Sequence, residues 1–254
     1  MFCFYTMTNI IKNFIFAEEI SPIMMQTPKC EQCTNKLNNA LKSLSISELG
    51  KISMCKSGMT IKKGDVIFEE GETLSGVYCI VEGVCKLSKL CTNGKSQIVR
   101  FVVKGDILGQ RSVIGKQPAN LTAVALTDVQ ACFIPKEEVL TSFTQNTDFS
   151  SEVLKEVCDE LKRADDTIVD LAQKTVKQRL ASALLFLEKT FGNDSNGFIN
   201  VQLSREEIGN MIGSATESLI RMLSDFNKNN WIITKGKRIR ITNPKQLQKI
   251  AEGI

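Results

Sequence analysis

The sequence predicts an α+β fold in three parts: an antiparallel β-roll, a long helix, and a C-terminal unit of short helices closed by a basic hairpin. Three patterns carry this expectation. From Met59 to Pro135 short Val, Ile, Phe and Cys runs follow period two and are punctuated by Gly64, Gly71, Gly83, Gly94, Gly105, Gly109 and Gly115, the spacing of strands and turns in a roll. Between Leu154 and Leu171 the apolar positions advance by three and four residues, as along a helical seam. From Leu203 to Phe226 two helix start signals stand on either side of a glycine.

Composition narrows the function. A chain of 254 residues, 43% hydrophobic and 24% charged, has room for two modest cores, so disorder is not the default. There is no histidine. That removes Ser-His-Asp and Cys-His nucleophile pairs and every His-bearing zinc site, which makes an enzyme the weakest class. The net charge of +4 is mild, yet no acidic residue occurs from Phe226 to Ala251, where Lys228, Lys235, Lys237, Arg238, Arg240, Lys245 and Lys249 all lie. A localised phosphate-facing surface is the expectation. The nine cysteines are scattered and odd in number, so reduced thiols and a cytoplasmic location are expected. Met1 to Phe16 is apolar, but it lacks a basic start, is broken by Asn9, Lys12 and Asn13, and is too short to span a membrane. Residues 1–28 are expected to be a disordered extension, with the natural start at Met24 or Met25.

Taken in order, Cys30-Glu31-Gln32-Cys33 leads into a helical pattern through Leu37, Leu41, Leu44 and Leu49, read as a short bundle entering the sheet domain of residues 29–145. Residues 146–174 form the long helix, whose seam of Leu154, Val157, Leu161, Ala164, Ile168 and Leu171 suits a two-helix dimer interface or packing on its own domain. Asp165 and Asp166 flank Ala164, so like charges would meet across a dimer and make it conditional. The final domain, residues 175–254, opens with an amphipathic helix from Thr175 to Phe191, then a loop at Asn193–Gly197 and a short strand from Phe198 to Val201.

Within that domain Ser204 with Glu207, and Ser214 with Glu217, fit the S-x-x-E capping box, and Gly213 lies where a left-handed residue ends the first helix. Ile208 and Ile212 on one helix, and Leu219, Leu223 and Phe226 on the next, supply a shared buried seam. Thr216, Glu217, Ser218 and Arg221 then point away from it. A guanidinium can form two bonds to a guanine edge and a carboxylate can accept one from cytosine. Ile232-Ile233-Thr234 and Ile239-Arg240-Ile241 read as strands closing on Lys235-Gly236-Lys237-Arg238, a basic wing after a helix-turn-helix. Two bland readings stay beside this one: Glu217 capping its own helix, and Arg221 with Asp225 as an ordinary i,i+4 surface pair.

The run from Leu203 to Leu223, followed by Lys235-Gly236-Lys237, resembles the C-terminal domain of the Crp/Fnr transcription regulators. Lys63-Gly64-Asp65-Val66-Ile67-Phe68, Gly71-Glu72, Val77 to Gly83 and Gly105-Asp106-Ile107-Leu108-Gly109 resemble the β-roll of cyclic-nucleotide-binding domains, in the matching order. The resemblance implies a homodimer that binds a palindromic site on double-stranded DNA with half-sites about one helical turn apart, and that contacts RNA polymerase. It implies that Glu217 and Arg221 read bases, assisted by Thr216 and Ser218, on a half-site containing TGA, with Ser204, Arg205, Ser214, Lys235 and Lys237 at the DNA surface.

The signal is where this chain departs from the family. Cyclic-AMP receptors resemble Gly-Glu-Leu followed by Arg-Ser or Arg-Thr; here the pocket positions are Gly109-Gln110-Arg111 and Asn120, without the anchoring cation at 120. A buried phosphate left unpaired is costly, so neither cyclic AMP nor cyclic GMP is expected to bind. Oxygen-sensing Fnr proteins resemble C-x2-C-x5-C plus a distant cysteine; Cys30, Cys33 and Cys132 match, but the third position is Asn39. No cofactor or metal is therefore expected, an iron–sulfur cluster on those cysteines being the alternative, and thiol sensing by Cys30 and Cys33 another. The competing class is a ligand- or redox-sensing module whose C-terminal domain docks protein instead of DNA.

Overall fold

The computed structural model describes residues 28–92 and 94–254. The expected N-terminal extension and its start site lie outside them. The chain enters through three short 3-10 turns, Cys30–Gln32, Thr34–Asn38 and Ala40–Ser43, before the first α-helix, α1 (Ile46–Cys55). The short helical bundle read from the sequence takes the form of these 3-10 turns and α1. Asn39 is extended and accepts from Leu41 N, restarting the chain between two turns, and Leu37 is 64% exposed while Leu41, Leu44 and Leu49 are buried.

The roll follows as β1 (Ser57–Ile61), β2 (Val66–Phe68), β3 (Gly76–Glu82), β4 (Cys85–Leu90), β5 (Ser96–Val102), β6 (Ile107–Leu108), a short helix α2 (Gln110–Gly115), β7 (Thr122–Ala125) and β8 (Val129–Pro135). These strands form two four-stranded sheets, ordered β1-β8-β3-β6 and β2-β7-β4-β5, with antiparallel neighbours throughout. Period-two patterning explains the arrangement. Ala123 and Ala125 of β7 are buried with half-buried Thr122 and Val124 between them, and Val129, Ala131 and Ile134 of β8 face the same core. The fold class predicted from the sequence is therefore observed.

Helix α3 (Lys136–Gln145) turns the chain into α4 (Thr147–Gln173), whose 27 residues span roughly 40 Å at 1.5 Å per residue. Asn146 separates the two helices and caps the second by accepting from Phe149 N at 2.9 Å. One face of α4 meets the roll through Phe149 and Val153, both buried. A different face carries Leu154, Leu161 and Ile168, which are 63%, 62% and 64% exposed.

The last domain comprises α5 (Val176–Phe191), α6 (Arg205–Ile212), α7 (Thr216–Lys228), the hairpin β9 (Ile232–Lys235) and β10 (Arg238–Ile241), and α8 (Pro244–Glu252). Leu180, Leu184 and Leu187 of α5 share a core with Leu219, Leu223 and Phe226 of α7 and Leu247 of α8. Ile98 and Phe101 of β5 belong to the same core, with the Phe101 ring edge-on to Phe191 at 5.7 Å between centroids. The two domains thus pack against each other. No helix among the described residues is long and apolar enough to cross a membrane.

Candidate nucleic-acid interface and effector pocket

The first capping box forms as the spacing requires. Ser204 Oγ accepts from Glu207 N at 3.1 Å, and Glu207 Oε2 accepts from Ser204 N at 2.8 Å. Burial raises the Glu207 pKa, but bonds from Lys86 and the Ser204 backbone outweigh it and hold the carboxyl below its ordinary value. Gly213 ends α6 at φ 63, a left-handed conformation that other residues adopt only at a cost.

The second capping box does not form. Ala215, not Ser214, is the N-cap of α7 and provides no side-chain bond. The physical reason lies one turn upstream: Ser214 N donates to Gly209 O at 3.0 Å to close α6, and its hydroxyl donates to Ala215 O. Glu217 consequently sits at the second helical position, too early to reciprocate. It is exposed and has no ion pair among the described residues, so the reading of Glu217 as a cap is set aside. Arg221 is also exposed; its Nη2 donates to Ser218 Oγ at 3.4 Å, and no pair with Asp225 forms. Thr216 and Ser218 are half-buried on the same helix. The amphipathic spacing of α7 thus buries Leu219, Leu223 and Phe226 and leaves a carboxylate and a guanidinium, one turn apart, open to solvent.

The wing is a two-residue turn, with Lys235 paired to Arg238 across it and Gly236 at φ 59. Lys235 and Lys237 are exposed at its tip. Arg205 Nη2 donates to Gly236 O at 2.8 Å, tying the start of α6 to the wing, and its Nη1 is buried without a partner among the described residues. Arg205 therefore braces the tip as its main contact. Two residues of the basic run turn inward, against expectation. Arg238 ion-pairs with Asp194 and lies 4.2 Å over the Phe198 ring, and Arg240 lies 5.5 Å from the same ring and donates to Asn196 O. Strand alternation at β10 puts both on the face covered by the Asp194–Phe198 loop, which charge counting alone does not reveal. Lys228, Lys245 and Lys249 remain exposed.

In the roll, Gly109, Gln110, Arg111 and Asn120 come together around one cavity of about 30 Å³. Two lining residues escaped the sequence reading. Arg100 of β5 ion-pairs with Glu160 of α4, and Arg111 Nε lies 3.4 Å from the other Glu160 oxygen. Arg111 Nη2 also donates to Asn120 Oδ1 at 3.4 Å, and Gln110 Nε2 to Glu156 Oε2 at 2.9 Å. Burial pushes the Glu156 carboxyl up. The available signal was the spacing of Phe149, Val153, Glu156 and Glu160, which places two acids on the inward face of α4.

Cys79 and Cys132 are cross-strand partners on β3 and β8, and Lys56 Nζ lies 3.6 Å from Cys132 Sγ. Burial pushes the Cys30 thiol up and the Cys79 thiol to about 12, with neighbouring cysteines adding to both shifts. Asn39 stands where a third ligand would, and its amide donates to Gly105 O at 2.7 Å and approaches Cys79 Sγ at 3.8 Å as a donor. Among the described residues no group of three or more His, Cys, Asp or Glu is placed to hold a metal ion. Asn39 leaves the C-x2-C-x5-C set with Cys30, Cys33 and Cys132 one thiolate short.

Comparison with known proteins agrees with this geometry. Residues 59–146 match the cyclic nucleotide-binding domain and residues 178–250 the Crp-like helix-turn-helix domain. The chain is 28% identical over 228 residues to the transcriptional activator protein Anr of Pseudomonas protegens, covering 88% of this chain and 93% of that one. It is 26% identical over 191 residues to a CRP-like cAMP-activated global transcriptional regulator of Mycobacterium tuberculosis, covering 74% and 85%. In fold it resembles a putative Crp/Fnr-family regulator from Eubacterium rectale, with a TM-score of 0.71 at 19% identity over 83% of this chain and 96% of that one. Roll, linking helix, winged helix-turn-helix and relatives together place the chain in the Crp/Fnr family of transcriptional regulators.

Proposed function

We propose that the protein is a homodimeric, sequence-specific regulator acting in the cytoplasm on a palindromic promoter site. The observation that carries this reading is the open face of α7, where Glu217 and Arg221 are exposed and engaged in no ion pair among the described residues, while Leu219, Leu223 and Phe226 on the opposite face are buried. Arg221 reads a guanine edge and Glu217 a cytosine amino group, with Thr216 and Ser218 assisting and Ser204, Ser214, Lys235 and Lys237 contacting phosphate. The half-site contains TGA, and RNA polymerase is the partner once DNA is bound.

The exposed stripe of Leu154, Leu161 and Ile168 supports pairing of α4 with its two-fold copy. The signal differs from cyclic AMP, because an uncharged Asn120 stands at the position of the anchoring cation. In vitro selection of DNA bound by the full-length protein tests the reading. Enrichment of an inverted repeat with half-site centres about one helical turn apart is expected; enrichment of no sequence over random competitor refutes it.

A further inference from the structure

Glu160 of the linking helix closes one side of the candidate effector pocket. Glu160 reaches from α4 to Arg100 with one carboxylate oxygen and to Arg111 with the other, and its side chain is only 13% exposed although the next residue, Leu161, is 62% exposed. Arg100 lies on β5 and Arg111 on α2, so the carboxylate joins two separate parts of the roll to the linking helix. Arg100, with a side chain 26% exposed, and Arg111, at 46%, carry like charge, and the shared anion offsets their repulsion. Glu160, Arg100 and Arg111 line the same cavity as Gly109, Gln110 and Asn120. An anion binding between Arg100 and Arg111 would compete with Glu160 for both guanidiniums.

The position of Glu160 on its helix gives the contact a mechanical meaning. Phe149, Val153, Glu156 and Glu160 follow one another at four-, three- and four-residue steps and all face the roll. Leu154, Leu161 and Ile168 recur every seven residues on a different face. Beyond Val153 the inward face has no fully buried apolar side chain, so the Glu156 and Glu160 contacts set how the helix is rotated about its axis there.

We propose that Glu160 is a built-in effector: its carboxylate occupies the anion position between Arg100 and Arg111, holding α4 so that its apolar stripe faces a second copy without any added small molecule. The proposal rests on the reading of the protein as a dimeric DNA-binding regulator and specifies how that dimer is controlled.

The test uses the full-length protein purified without nucleotide, measuring hydrogen exchange of the α4 amides, sedimentation and affinity for selected DNA. Wild type should dimerise and bind DNA unaided. Glu160→Gln should speed exchange across residues 156–166 and weaken DNA binding about tenfold. Glu160→Ala should recover slow exchange and affinity in acetate, and not in chloride at equal ionic strength. Exchange and binding unchanged in Glu160→Gln, a wild type that needs added ligand, or acetate no better than chloride would each overturn the proposal. The exchange readout uses no DNA, so a failed clamp is distinguished from failed DNA recognition.

Discussion

Removing the ion pair between Lys86 and Glu207 should loosen the reading domain from the roll by a measurable and separable amount. The two charges meet at 2.7 Å, with side chains 20% and 21% exposed, so the pair is neither free in solvent nor fully buried. At an effective dielectric of about 20 the gross attraction at this distance is about 6 kcal/mol. Partial desolvation of both ions cancels most of it, leaving a net coupling of about 1–2 kcal/mol, between an exposed pair and a buried one. Glu207 also caps α6, so the substitution must spare that role. Glutamine serves, because its side-chain oxygen can still accept from Ser204 N.

A double-mutant cycle of Lys86→Met and Glu207→Gln isolates the coupling. The assay is urea unfolding followed by fluorescence of Trp231, the sole tryptophan, which packs edge-on to Phe226 at 5.3 Å inside the reading domain. The pH dependence fixes the sign. Because the folded Glu207 pKa is depressed, its contribution is complete above the unfolded value and is lost as pH falls through the folded value. Wild type should therefore lose more stability than Glu207→Gln on acidification. A coupling near zero at neutral pH, or equal acid sensitivity in the two proteins, would show that the domains are held by apolar packing alone.

Arg221→Ala should cost about 1–3 kcal/mol on the selected site and relax preference at one base pair; an equal loss on random DNA, read by fluorescence anisotropy, would refute base reading. Leu161→Glu with Ile168→Glu should yield monomers in sedimentation equilibrium without lowering the melting temperature of the roll, since both side chains are more than 60% exposed in one copy; an unchanged mass would refute the seam. Gly213→Ala should destabilise the reading domain by about 1–2 kcal/mol, from the left-handed backbone penalty. Its new Cβ would also lie 3.3 Å from Leu171 Cδ2. Trp231-detected melting checks this, and no change would mean that the turn relaxes freely.

The three-part fold was legible because each part has its own period: two in the roll, three-and-four along α4, and paired caps around Gly213 in the reading domain. Those signals are local, and neighbouring residues alone create them. The failures share the opposite property. Ser214 fits a capping box by spacing, but its backbone is used to close α6 on Gly209, so the cap falls to Ala215. Arg238 and Arg240 count as basic residues in the sequence, yet a loop more than forty positions away supplies Asp194 and Phe198 to hold them. Cys30 and Cys33 have ligand spacing, but burial pushes the Cys30 thiol up, and the third position of the motif is Asn39, whose amide is spent on Gly105 O.

By itself, then, the sequence determined the three-part architecture, which helix faces are apolar, and that a carboxylate and a guanidinium stand one turn apart on α7. Tertiary structure alone decided which charges are free. Glu217 and Arg221 remain exposed, whereas Glu160, Arg100, Arg111, Lys86 and Glu207 are spent on joining the linking helix, the roll and the reading domain. The physical reason is that burial and pairing depend on residues distant in the chain, and a charge acquires its role from what surrounds it after folding.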